Sequence, residues 1–321
     1  MIKNYLTLIE AEIKKRKFGS EPKSLYGPIR YIMGLGGKRL RPLLTMFAYS
    51  LYKNDVEKIV SYAMAVEAFH NFTLLHDDIM DRAPLRRGKA TVHEKWNVNT
   101  AILSGDVMLV SVYDLFISLE EKKLKAVLEL FNICAAEVCE GQQWDMEFEK
   151  KAKVTEALYI NMIRLKTAVL LGFSLELGAL LADAPEAERK ALKEFGVNIG
   201  IGFQLKDDLL DVYADKKKFG KQVGGDIISN KKTFLLIKAF EKAKRKDQQE
   251  LAKWISAKRF NKKQKVKAIT CIYNSLNIPL LTENKILAYF VKGFDLLDKV
   301  KPTKQKDQLI AFTRDLIMRQ T

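Results

Sequence analysis

Two short acidic patterns in this chain could do chemistry: Asp77-Asp78-Ile79-Met80-Asp81 and Asp207-Asp208-Leu209-Leu210-Asp211. On a helix of 3.6 residues per turn, Asp77 and Asp81 lie one turn apart on one face, and Asp78 is within reach of Asp81. Three carboxylates therefore converge. Pro84 predicts a helix end just beyond, so the charges crowd a C-terminal turn where the helix dipole already disfavours anions. A cation must offset this. Carboxylate oxygens suit Mg²⁺, which takes one or two protein carboxylates and keeps its other positions for water and substrate phosphate. Asp207, Asp208 and Asp211 repeat the arrangement, with Asp215 a further turn along and Gly220 closing the segment. One such pattern alone reads as readily as a solvated acidic helix face. Two in one chain, each embedded in apolar residues, favour metal binding. Neither has the central Gly and terminal Glu of an EF-hand loop.

Cations stand near these carboxylates in the chain. Gly36-Gly37-Lys38-Arg39-Leu40-Arg41-Pro42 places flexible backbone before basic residues and then a proline able to start a helix. Lys38 and Arg41 can both face one anion. Leu85-Arg86-Arg87-Gly88 puts two guanidiniums in the loop after the first acidic cluster, and Arg is suited to bidentate phosphate contacts. Such an alternation suits a Mg²⁺-bridged diphosphate beside a second anion held by cations alone.

The elements that must position these groups read as helices. Apolar residues recur at three- and four-residue spacing with no sustained period-two alternation, which predicts an all-α fold, a single large helical bundle with a central active-site cavity. Pro42, Pro84, Pro185, Pro279 and Pro302 fall where helices begin or end. Ten or more helices on short connections are expected, without a linker tract, so residues 1–321 read as one domain. The two acidic segments, 74–81 and 204–211, echo one another and must meet in space for either to make chemical sense. With 48% hydrophobic and 29% charged residues the 321-residue chain is globular rather than disordered. Its formal charge of +16 favours anionic partners but does not choose among nucleic acid, phosphorylated small molecules and a membrane surface. The basic runs 14–17, 216–218 and 242–246 read as solvated helix ends. Cys134, Cys139 and Cys271 lack metal spacing and read as buried thiols in a reducing compartment. No apolar run is read as reaching the roughly 18 residues that span a bilayer. A cytoplasmic location follows as the expectation.

The chain resembles the trans-type polyprenyl diphosphate synthase family over nearly its whole length. The resemblance rests on Gly36 to Pro42, His70, Asp77 to Asp81, Leu85 to Gly88, Gly141-Gln142 with Asp145, and Lys166-Thr167. It continues through Gly202 to Asp211, Gly220-Lys221, and Asp226 followed by Lys231. It implies a short-chain enzyme that condenses isopentenyl diphosphate with dimethylallyl, geranyl or farnesyl diphosphate. Asp77, Asp81 and Asp207 would bind Mg²⁺, three ions with the diphosphate bound, and Asp78, Asp208 and Asp211 complete the two metal clusters. Arg86, Lys166 and Lys221 would contact the allylic diphosphate, with Lys231 also assigned to substrate. Lys38, Arg41, His70 and Arg87 would hold isopentenyl diphosphate. Thr167 and Gln204 would offer neutral oxygens to an allylic cation. Taken alone, His70 also reads as a core histidine; it lies on the Asp77 face about 10.5 Å away. Thr167 and Gln204 alone read as an ordinary helix hydroxyl and amide. A homodimer is expected by the same resemblance, with no nucleic acid and no membrane span.

A terpene cyclase would carry an Asn/Ser/Glu pattern in place of the second cluster, a squalene-type synthase differently spaced aspartates, and a non-catalytic subunit only one cluster. Product length is read from Phe72 and Thr73, one bulky residue beside one small, which resembles the geranylgeranyl-making arrangement; farnesyl diphosphate synthase is the alternative. An ideal helix turns Phe72 about 140° from Asp77 and keeps Thr73 within about 40°, so a role for Phe72 needs a local helix irregularity.

Overall fold

The computed structural model describes residues 1–214 and 224–318. Asp215, the 216–218 basic run, Gly220 and Lys221 lie outside them. The fold is all-α; among the described residues the only strands are β1 (Leu85–Arg86) and β2 (Lys89–Ala90), a two-stranded antiparallel hairpin. Pro84, Pro185 and Pro302 stand between helices, while Pro42 and Pro279 sit in first turns, as their fixed φ and missing N–H require. Packing divides the chain into two compact units, each assembled from three stretches.

Unit 1 comprises Met1–Ile133, Phe173–Lys193 and Lys301–Leu309. It holds α1 (Ile2–Lys15), α2 (Lys23–Gly34), α3 (Leu40–Ser50), α4 (Val60–Met80), α5 (Val92–Lys95) and α6 (Val98–Ile117). The first part of α7 (Glu121–Lys150) also belongs to it. α4 buries residues on every side, among them Ala63, Met64, Val66, Phe69, Phe72 and Leu75, which marks it as a central rather than a surface helix. Phe69, Phe116, Phe131 and Phe173 form an edge-and-face aromatic cluster beside it. Gly105 lets α6 cross α4 tightly, since a Cβ there would stand 2.4 Å from Nε2 of His76.

α6 corrects the apolar-run reading, because its 20 residues are long and apolar enough to cross a membrane by length and composition. One side of it packs into unit 1, burying Ala101, Ser104, Met108, Val112, Leu115 and Phe116, and it carries Asp106 and Asp114. Asn97 caps its start by accepting a hydrogen bond from the Thr100 N–H at 2.8 Å.

Unit 2 comprises Cys134–Gly172, Glu194–Val300 and Ile310–Thr321. It contains α8 (Glu156–Ile163), a five-residue π-helical turn (Arg164–Ala168), the C-terminal part of α10 (Glu186–Tyr213), α11 (Gly225–Ser229), α12 (Phe234–Lys242), α13 (Arg245–Ser256), α14 (Lys262–Ser275) and α15 (Ile278–Leu296). Two further helices, α9 (Val169–Leu181) and α16 (Lys304–Met318), contribute to both units. Val212, Ile227, Leu235, Leu251, Ile269 and Tyr273 form its core.

Of the cysteines only Cys134 is buried. Cys139 and Cys271 are exposed, against the buried-thiol expectation, each on a helix, α7 and α14.

Candidate active site

In unit 1 the first cluster closes α4. The Asp81 N–H bonds the Asp77 carbonyl at 2.8 Å and makes Asp81 the C-cap. The three carboxylates differ in exposure: Asp81 is exposed and Asp77 partly so, while Asp78 is only 3% exposed. Arg86 on β1 clamps Asp78, donating from Nε at 2.9 and 2.8 Å and from Nη2 at 2.7 Å, and its Nη2 lies 3.7 Å from Asp77 Oδ2. Burial raises the Asp78 pKa above its ordinary value, and the Arg86 ion pair only partly opposes it.

The hairpin turns at Arg87 and Gly88, whose φ values of 53° and 73° match the left-handed pair of a two-residue β-turn. That turn lets Arg86 reach back to Asp78 while Nη1 of Arg87 donates to the Gly36 carbonyl. Gly37, at φ 144°, holds a backbone conformation that side chains rarely adopt, and a Cβ there would also press on the Arg87 guanidinium at 3.0 Å. Lys38 is exposed and Arg41 half-buried at the start of α3. Arg39 between them is structural: buried, it bonds Glu10 at 2.7 Å, Glu67 at 2.8 Å and the Met33 carbonyl at 2.8 Å. Burial, and then the charges of Arg41, Arg87, Arg86 and Arg39, push His70 well below its ordinary pKa. His70 is therefore a neutral imidazole among guanidiniums.

In unit 2 the decisive local feature is the π turn, which holds Lys166 and Thr167. Such single-turn widenings favour functional sites because they re-aim side chains that a regular helix would fix. Two glycines let neighbouring helices close on it: a Cβ on Gly141 of α7 would stand 2.2 Å from the Lys166 nitrogen, and one on Gly200 of α10 2.7 Å from Cα of Ala168. Lys166 Nζ bonds Asp145 Oδ2 at 2.7 Å, with Lys231 3.9 Å from the same oxygen. Burial would raise the Asp145 pKa, but Lys231 and Lys166 outweigh it and hold the carboxylate below its usual range. Thr167 Oγ1 donates to Gln204 Oε1 at 3.2 Å, and Gln204 Nε2 donates to Asp208 Oδ1 at 3.0 Å.

The second cluster repeats the first in its burial. Asp207 is exposed and Asp211 partly so, while Asp208 is 5% exposed and accepts from the Tyr159 hydroxyl. Its pKa is pushed up to about 7, first by burial and then by Asp226, with Lys231, Tyr159 and Gln204 acting the other way. Asp211 Oδ2 accepts the Asp226 N–H at 3.0 Å.

Among the described residues no group of three or more His, Cys, Asp or Glu side chains closes tightly enough to hold a metal by itself. The all-oxygen donor set of the two clusters suits Mg²⁺ shared with substrate phosphate and water. The like-charged Asp208 and Asp226 also suit a neighbouring cation. Phe72 is buried against Phe69 and His76, with ring centroids 5.6 and 4.7 Å apart, and α4 runs regularly through it. The helix irregularity that a direct role for Phe72 required is absent. Thr73 is partly exposed and bonds the His70 carbonyl at 2.8 Å. Sequence reasoning assigned no role to Tyr159 or Glu67, since a Tyr or Glu in a helix carries no signal until its buried partner is seen.

The polyprenyl synthetase family profile matches residues 22–273. The chain is similar to the short chain isoprenyl diphosphate synthase of Methanocaldococcus jannaschii, 44% identical over 240 residues, 74% of this chain and 72% of that protein. It is also similar to the geranylgeranyl diphosphate synthase of Methanosarcina mazei, 34% identical over 321 residues, 99% of this chain and 97% of that one. A crystal structure of a geranylgeranyl pyrophosphate synthase superposes with a TM-score of 0.95 at 41% identity, covering 100% of this chain and 99% of that one. The chain thus belongs to the polyprenyl synthetase family, a family of prenyltransferases.

Proposed function

We propose that this protein condenses isopentenyl diphosphate with allylic diphosphates, the end product being geranylgeranyl diphosphate. The carrying observation is that each acidic cluster holds its second aspartate buried against protein donors and turns its first and last to more exposed positions. That division suits a cluster whose outer carboxylates serve a metal. When bound, Mg²⁺, three ions with the diphosphate, supplies positive charge that stabilises the departing diphosphate. Arg86 spends Nε and Nη2 on Asp78 and keeps Nη1 for an incoming phosphate oxygen. Family resemblance assigns Lys166, steadied by Asp145, and Lys221 to the same diphosphate, and Lys231 to substrate. Lys38, Arg41, Arg87 and the neutral His70 suit isopentenyl diphosphate, whose anion meets no carboxylate of either cluster in this reading. The Thr167 and Gln204 oxygens stabilise positive charge on the allyl group without trapping it. Product diphosphate accepts the final proton, so no protein base is assigned.

The length assignment is supported by relatives named geranylgeranyl diphosphate synthase and by the small Thr73 before the first cluster. In a regular α4, Thr73 shares the Asp77 side and is the more direct determinant. Incubation with isopentenyl diphosphate and each allylic primer is expected to end at twenty carbons, and Thr73→Phe at fifteen. A parent product of fifteen carbons overturns the length assignment.

A homodimer is part of the same reading. Leu103, Val110 and Ile117, spaced by seven along α6 and 58, 59 and 60% exposed, form an apolar stripe suited to a second copy. Light scattering at micromolar concentration is expected to give twice the chain mass and Val110→Lys a monomer; a monomeric parent counts against it. A cytoplasmic location is supported by three cysteines that form no disulfide.

A further inference from the structure

The Gln204 amide has two unlike ends, and only one of them can help positive charge. Its carbonyl oxygen attracts a developing allylic cation; its NH₂ group repels it. Packing alone scarcely distinguishes the two, because O and NH₂ are nearly the same size. Hydrogen bonding distinguishes them. Nε2 donates to Asp208 Oδ1 at 3.0 Å while Oε1 accepts from Thr167 Oγ1 at 3.2 Å. A reversed amide could still donate its NH₂ to the Thr167 hydroxyl, but it would set its carbonyl against the Asp208 carboxylate, acceptor on acceptor, and lose the bond to Asp208.

The orientation of Gln204 therefore depends on where Asp208 holds its oxygens. Oδ2 of Asp208 accepts from the hydroxyl of Tyr159, a fully buried side chain on α8. Thr155 caps α8 by accepting the Leu158 N–H at 3.3 Å, and α8 runs directly into the π turn that carries Thr167. Tyr159 and Thr167 thus sit on one continuous segment, and the hydrogen-bonded series Tyr159, Asp208, Gln204, Thr167 returns to it. The loop joins this segment to α10 at two points, beside the close approach that Gly200 makes to Ala168. In such a closed polar circuit each bond orients the next.

We propose that Tyr159 is a positioning residue, which, by holding Asp208, fixes the Gln204 amide with its oxygen toward Thr167 and so aims two neutral oxygens at the allylic cation. The inference rests on the elongation reading above. Tyr159 touches neither substrate nor metal in this account and acts only through Asp208.

Tyr159→Phe keeps the ring and removes the hydroxyl. Two allylic diphosphate analogues report on it: one with an ammonium nitrogen where positive charge develops, and its uncharged carbon isostere. Removing one hydrogen bond from the circuit is expected to lower kcat about tenfold, with KM for both substrates within about twofold. The preference for the ammonium analogue over its isostere should fall by a similar factor. Gln204→Leu removes the group being oriented, so adding Tyr159→Phe to it should leave that preference unchanged. This second comparison is made by binding alone and needs no turnover. An unchanged preference in folded Tyr159→Phe overturns the proposal. Equal weakening of both analogues, with a lowered melting temperature, also overturns it in favour of a purely structural role. A parent protein that elongates nothing would instead defeat the elongation reading, a result distinct from either.

Discussion

Asp77→Ala and Asp207→Ala are each expected to slow turnover by at least about a hundredfold, the scale on which a key electrostatic stabiliser acts. Each removes the first aspartate of a cluster, at a partly exposed or exposed position, while the buried partner that braces the cluster stays in place. Folding should therefore survive, because Asp78 keeps Arg86 and Asp208 keeps Tyr159 and Gln204. Steady-state kinetics beside circular dichroism checks both halves of the expectation. Near-normal turnover in either folded variant would sink the two-cluster mechanism, since a departing diphosphate stabilised by one cluster would not need the other.

Removing Arg86 should act differently, on stability as well as on rate. Arg86→Met leaves the Asp78 carboxylate buried without its three charge-assisted bonds, and breaking such a pair from one side costs about 3–5 kcal/mol. The urea midpoint should fall accordingly. Adding Asp78→Asn, which removes the stranded charge, should recover much of the loss without restoring activity, because Nη1 of Arg86 is also gone from the phosphate. A midpoint unchanged in Arg86→Met would show that Asp78 is not braced by this pair in solution.

Much of this was legible before any coordinates. Three- and four-residue periodicity specifies helices, and five prolines mark helix boundaries because their chemistry permits little else. The two acidic patterns name their residues by spacing. Spacing, however, gathers all three carboxylates of a cluster alike. Burial separates Asp78 and Asp208 from their neighbours, and burial depends on what packs against α4 and α10. The π turn at Arg164–Ala168 has no signature of its own; it exists beside the glycine crossings of α7 and α10, and Gly141 and Gly200 acquire meaning only when the backbones they admit are seen. The role of Tyr159 was hidden for the same reason. Asp106 and Asp114 interrupt the apolar run of α6 without lowering its mean hydropathy below that of a membrane-length helix. The angular argument about Phe72 did hold, since a regular helix leaves its ring with Phe69 and His76.

The most direct measurement is the stoichiometry of diphosphate release from purified protein supplied with Mg²⁺, an allylic primer and isopentenyl diphosphate. One diphosphate should appear for each isopentenyl unit incorporated, with none when either substrate is left out and none after chelation of the metal. Diphosphate released from the allylic primer without isopentenyl diphosphate would instead mark a hydrolase or cyclase, and would contradict chain elongation as the reaction of this site.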